Sequence, residues 1–198
     1  MATSSPLRKS ITLEQFLARP EQKPVLEYLD GRIEAKVSPQ KKHSLMTLRL
    51  LERLNRIAEP AGLGLAWPEL RCTFAGRSIV PDVVFLLETH IASDERGEPV
   101  NETSLPPDIH IEIVSPDQSV GRSREKLAHS TAHGCPLGWL INPERQWIDV
   151  YRPGQAPERL APDGFLDGAP VLPGFRVSVP DVFGWLCLRP PAPGPGPV

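Results

Sequence analysis

Apolar and polar positions along this chain follow two periods, and the changes between them mark out its elements. Thr12–Arg19 reads as a short helix with Thr12 as N-cap and Pro20 beyond its end. Leu26–Leu29 runs into Asp30-Gly31, a tight-turn pair. That predicts a β-hairpin with strands near Val25–Leu29 and Arg32–Val37. Ser38-Pro39 opens a long helix from Gln40 to Ala58, in which Met46, Leu50, Leu54 and Ile57 recur at helical spacing. Pro60 and Gly62 close it.

Beyond this helix the pattern becomes that of strands. Leu63–Trp67, Glu69–Phe74, Val80–Leu86 and Ile109–Val114 are short, rich in β-branched and aromatic residues, and bounded by Gly or Pro. An acidic loop, Glu88–Pro107, separates the last two. Ser123–His133 reads as a second long helix, followed by strands at Gly138–Ile141 and Gln146–Tyr151. From Arg152 to Val179 Pro and Gly are dense, with edge strands expected at Val171 and Phe175–Val179, and Pro180–Leu188 reads as a closing helix. The order predicts an α/β chain (α+β, mixed sheet), with a central mixed β-sheet flanked by helices and an N-terminal helix and hairpin. One domain is expected over residues 1–188, with a Pro/Gly-rich, disordered tail over 189–198.

Composition narrows the classes. The chain has 198 residues, enough for a sizeable core, and 24 prolines, about twice the usual ~5%, which disfavours a helical bundle. No apolar run approaches the ~20 residues of a membrane helix, and the polar N-terminus has no apolar signal region. Cys72, Cys135 and Cys187 are odd in number and far apart, so buried reduced thiols are expected rather than disulfides or a zinc pair. A cytoplasmic, soluble protein without membrane partners is the expectation. The net charge of −2 demands no nucleic-acid partner, but the first 60 residues carry 11 Lys+Arg against 7 Asp+Glu. Lys42, Arg49, Arg53 and Arg56 form a stripe along the first long helix, either a solvated face or a track for a phosphate backbone.

Two carboxylates interrupt the apolar pattern. Asp82 follows Pro81 at the start of Val83-Val84-Phe85-Leu86, where the ordinary role is turn capping. In Asp108-Ile109-His110-Ile111-Glu112-Ile113, side chains alternate, so Asp108, His110 and Glu112 share one face. An arginine partner would explain Glu112 alone. Two carboxylates on neighbouring strands repel unless something cationic lies between them, and a hard divalent ion such as Mg²⁺ fits, since it needs only one or two protein carboxylates. Lys126, on the next helix, is either a solvated lysine or an ammonium reaching back to that site. His110 would share the face of Glu112, as a proton donor or as a satisfied core histidine. His43 points inward from the first long helix, either to a hydrogen bond or phosphate contact beside Glu27 or to pack the helix on the sheet. A Cys135 nucleophile served by His129 or His133 lacks any recognisable motif around it.

Pro81-Asp82, then Glu112 within an apolar strand, then a lysine resembles the PD-(D/E)XK nuclease superfamily with its restriction-endonuclease-like fold. More narrowly, the chain resembles the restriction endonuclease family often called Uma-two. The resemblance runs from Thr12 to Tyr151 through Leu26-Glu27-Tyr28-Leu29-Asp30-Gly31, Ser38-Pro39…His43, Pro107–Pro116, Lys126-Leu127 and Gly134-Cys135-Pro136…Trp139-Leu140-Ile141-Asn142-Pro143. It implies Asp82 and Glu112, with the carbonyl of Ile113, as metal ligands for Mg²⁺ (Mn²⁺ as substitute), Lys126 as the catalytic lysine, and Glu27 as a further acidic group. The superfamily places its lysine two residues after the glutamate, where this chain has Val114; the narrower family moves it to the following helix. Ser130, Asn142 and His110 also depart from that family, which has Tyr, Asp and an apolar residue there. The resulting expectation is a Mg²⁺-dependent endonuclease acting on nucleic acid, DNA first, as a homodimer on duplexes, with His43, Lys42 and Arg49 as phosphate contacts. The alternative is an inactive nuclease-fold module that binds nucleic acid or a protein partner.

Overall fold

A computed structural model describes residues 11–116 and 119–189. The expected tail beyond Arg189, and Asp117, lie outside the described residues. The first described element is α1 (Leu13–Leu17), where Thr12 and Gln15 form a reciprocal capping box. The hairpin β1 (Leu26–Leu29) and β2 (Arg32–Ala35) turns through Asp30 and Gly31, both at positive φ, the geometry that matches strand twist. Next comes α2 (Lys41–Ala58), followed by β3 (Gly64–Pro68), β4 (Cys72–Phe74), β5 (Arg77–Ile79), β6 (Val83–Leu87) and β7 (Ile109–Ile113). A helix, α3 (Val120–Ala132), connects β7 to β8 (Leu137–Asn142), and β9 (Trp147–Tyr151), β10 (Glu158–Arg159), β11 (Phe165–Asp167), β12 (Arg176–Ser178) and α4 (Val179–Gly184) complete the order.

The main sheet has six strands in the order β10-β9-β8-β7-β6-β3, antiparallel except for the parallel pair β7/β8. A four-stranded sheet, β2-β1-β5-β4, carries the hairpin, and β11/β12 form a third small sheet. All of β7 and β8 is buried, so both faces of the central strands are covered. On one face Met46, Leu50 and Leu54 of α2 pack with Ile109, Ile111, Ile113, Trp139 and the C-terminal Phe175, Val182 and Trp185. On the other, Leu127 of α3 packs with Val114, Leu140 and Tyr151. The parallel crossover β7-α3-β8 therefore lays α3 over the face of β7 that carries His110 and Glu112.

The expected architecture holds, and its boundaries move for local reasons. The strand expected over Glu69–Phe74 is split, because Glu69 sits at positive φ and only Cys72–Phe74 pairs. The pairing of β6 begins at Val83 rather than Val80, since Pro81 has no amide to donate. Val171 lies in a turn between β11 and β12, and α4 ends at Gly184. β5, β10 and β11 are additional. Cys72 and Cys135 are buried free thiols as expected, but Cys187 is exposed just past α4. No helix among the described residues is long and apolar enough to cross a membrane.

Two nearby glycines differ in what a side chain would meet. Gly62 lies at φ +60 with open space around it, whereas Gly64 combines φ +148 with a Cβ position 2.1 Å from the Leu86 carbonyl oxygen. Urea unfolding is expected to show Gly62→Ala costing about 1 kcal/mol and Gly64→Ala about 3 kcal/mol, because β3 must part from β6. Equal costs would contradict the close approach.

Candidate active site

The register of β6 against β7 builds the site. Val84 pairs with His110 and Val83 with Ile111, so the next position sets Asp82 opposite Glu112. The Ile113 amide donates to Asp82 Oδ2 at 2.7 Å, which fixes one carboxylate to the strand that bears the other. Glu27 enters from β1 and accepts from the Val80 amide at 2.7 Å, holding the segment that leads into Asp82. Lys126 descends from α3, its ammonium 2.8 Å from Glu112 Oε1 and 3.0 Å from Glu27 Oε1. Asp82, Glu112 and Lys126 are at most 2% exposed.

Three further side chains close the cluster. Lys36, just past β2, places its ammonium 2.9 Å from Asp82 Oδ1 and donates to the carbonyls of Val80 and Pro81 at 3.0 and 3.4 Å. His43, in the first turn of α2, has Nε2 at 3.1 Å from Asp82 Oδ2. His110 is fully buried, with Nε2 at 2.9 Å from Glu112 Oε1 and Nδ1 at 2.7 Å from Ser130 Oγ. A carboxylate only accepts, so Nε2 carries the proton given to Glu112, and in the neutral ring Nδ1 accepts the Ser130 hydroxyl. The donors crowd onto one oxygen of each carboxylate: among the described residues Glu112 Oε2 and Asp82 Oδ1 make no aligned hydrogen bond, and His43 Nδ1 has no hydrogen-bond partner.

Burial alone would push the carboxyl of Asp82 up, but Lys36 and then His43 and Lys126 outweigh it and hold it well below the usual range. At Glu112 burial likewise raises the pKa and Lys126 lowers it, with Asp82 opposing and His110 assisting; the net direction is down. Lys126 shows the mirror image: burial lowers its pKa, yet Glu112, Glu27 and Asp82 raise it above the ordinary lysine value. It is therefore a fixed positive charge at neutral pH and not a proton acceptor. Burial pushes the Cys135 thiol up to about 12, which removes it as a nucleophile.

The sequence-predicted residues Glu27, Asp82, Glu112, Ile113, Lys126 and His43 thus lie in one cluster. His43 contacts Asp82 rather than Glu27, and Ile113 contributes its amide. The expected phosphate contacts are already paired, the exposed Lys42 with Glu144 at 2.7 Å and the half-buried Arg49 with Glu52 at 2.8 Å. Arg53 of the same stripe lies over the Trp185 ring. Lys36 was not foreseen: a lysine at the end of a hairpin strand carries no pattern that separates it from a solvated one.

The donor set suits a hard dication. Each carboxylate has an oxygen without an aligned donor, and both oxygens belong to groups held ionised. No group of three or more His, Cys, Asp or Glu among the described residues is arranged to hold a metal, so two carboxylates would be the side-chain ligands, as Mg²⁺ tolerates.

Residues 13–180 match the profile of the Uma2 family, described as "Putative restriction endonuclease". Among solved structures the chain is similar to one described as "a putative nuclease belonging to DUF820 from Anabaena variabilis ATCC 29413". The two share 38% identity with a TM-score of 0.86, over 89% of this chain and 99% of that one. No curated protein matches the chain.

Because both carboxyls titrate lower when folded, the stability they contribute is present above the ordinary carboxyl pKa of about 4 and is lost as pH falls through the folded value. In EDTA at pH 7, Asp82→Asn is expected to cost about 3–5 kcal/mol, since it strands the Lys36 charge. Urea titrations at decreasing pH should show that gap narrowing below about pH 4. A gap independent of pH would mean that Asp82 is not held ionised by its neighbours.

Proposed function

The chain belongs to the Uma2 restriction endonuclease family, and from that membership we propose that it is a Mg²⁺-dependent nuclease hydrolysing phosphodiester bonds, in DNA. The carrying observation is the pair of opposed, buried carboxylates, each with one oxygen free of aligned donors, beside a lysine held charged. Asp82 through Oδ1 and Glu112 through Oε2 would hold the cation, with Mn²⁺ as a substitute. Such an ion supplies Lewis-acid polarisation of a phosphoryl oxygen and a more acidic water.

The chain's own groups do the rest. Lys126, shared between Glu112 and Glu27, keeps Glu112 ionised and contributes a fixed positive charge toward a phosphorane-like transition state. The Ile113 amide and His43 fix Asp82 Oδ2, while His110, backed by Ser130, fixes Glu112 Oε1. Glu27 is the third carboxylate, and its loss should harm turnover less than loss of Asp82 or Glu112. Cutting both strands of a duplex would take two such sites, as in a homodimer.

The near-complete burial of Asp82, Glu112 and Lys126 favours a second reading, a nuclease fold retained as an inactive binding module. A supercoiled-plasmid nicking assay separates the two. Cutting is expected with Mg²⁺ or Mn²⁺, to stop with EDTA, and to fall by about 10³-fold or more in Glu112→Gln, the scale of losing a transition-state electrostatic group. Binding of plasmid without cutting, unchanged by Asp82→Ala, would establish the module instead.

A further inference from the structure

Lys36 stands on the one oxygen of Asp82 that the rest of the site leaves open. The Ile113 amide and His43 Nε2 both address Oδ2, so Oδ1 is what Asp82 can offer a cation. Lys36 Nζ is 2.9 Å from it, and the contact is an ion pair without an aligned hydrogen bond, because the ammonium donates to the carbonyls of Val80 and Pro81. Glu112 is arranged differently. Lys126 and His110 both take Oε1, and among the described residues no hydrogen-bond donor meets Oε2.

Charge makes the asymmetry consequential. Three buried carboxylates, Glu27, Asp82 and Glu112, face two ammoniums, Lys36 and Lys126, while the Glu69 carboxylate beside Lys36 is half exposed and screened by solvent. The cluster is one positive charge short of balance, and a dication would overshoot it; without the Lys36 charge a dication would match it. Two cations on one carboxylate in a low-dielectric site repel strongly. Lys36 also has somewhere to go: Glu69 Oε1 lies 3.5 Å from Nζ on a side chain 51% exposed, on the solvent side of the same ammonium.

We propose that Lys36 is an internal counter-ion for Asp82 that competes with the divalent cation for Oδ1 and so weakens metal binding by the site. This rests on the metal-dependent reading above. It makes Lys36 a positioning residue whose withdrawal toward Glu69 accompanies metal entry, and it explains how a buried Asp82 stays ionised and ordered without a metal.

The test measures Mn²⁺ binding to the whole chain by calorimetry, and the Mn²⁺-induced rise in melting temperature, at fixed ionic strength. Lys36→Gln keeps donors for the Val80 and Pro81 carbonyls and removes the charge, whereas Lys36→Arg keeps the charge. The expected result is Mn²⁺ binding tightened about tenfold or more in Lys36→Gln, left near wild type in Lys36→Arg, and lost from both backgrounds with Asp82→Asn. Mn²⁺ should likewise raise the melting temperature of Lys36→Gln more than that of the wild type, a readout available even if that variant is destabilised. Binding by the wild type that is unchanged or weaker in Lys36→Gln, or equally altered in Lys36→Arg, overturns the inference and leaves the metal reading intact. Failure of both wild type and Lys36→Gln to bind Mn²⁺ overturns both. Binding by Lys36→Gln alone supports the competition in its strongest form.

Discussion

A carboxylate with no solvent access in the middle of an apolar sheet is the constraint around which this protein is arranged. Glu112 has Ile111 and Ile113 as chain neighbours and is covered by α3, so its charge survives only if the protein supplies the cation and donors that water would otherwise provide. Lys126 comes from the helix that covers it, and His110 from the same strand two residues away. The opposed Asp82 repeats the problem on the neighbouring strand, and Lys36 and His43 answer it from the end of the hairpin and from α2. Hairpin, α2, α3 and the two central strands thus meet at a single charge cluster.

The apolar periodicity made the long elements legible, because α2 and the central strands are covered on faces whose spacing can be read directly. Asp82 and Glu112 were legible for the opposite reason, as charges where the pattern calls for none. What stayed hidden was set by contacts distant in sequence. Arg77-Ser78-Ile79 is too short and polar to read as a strand, and becomes one only because β1 and β4 pair on either side of it. Lys36 is buried because the segment carrying Val80, Pro81 and Asp82 closes over it, a neighbour more than 40 residues away. Lys126 was recognisable through family likeness alone; its reach depends on α3 crossing back over β7 between two parallel strands.

The same geometry sharpens the chemistry. Most donors in the site bind Asp82 Oδ2 or Glu112 Oε1, so each carboxylate is held at one oxygen and presents the other. That division needs hydrogen-bonding neighbours rather than bulk, which is why a buried histidine backed by a serine hydroxyl can stand on the Glu112 face in a sheet otherwise filled by isoleucine and tryptophan.

The Lys126–Glu27 contact closes a loop of 99 residues. Contacts of that separation form after the shorter ones, because the chain must first give up the entropy of bringing its ends together. A partly folded chain with hairpin and sheet but an undocked α3 would hold its carboxylates without their lysine. The charge cluster is therefore finished only after α3 has left the ribosome and docked, so a shorter nascent chain carries an incomplete site.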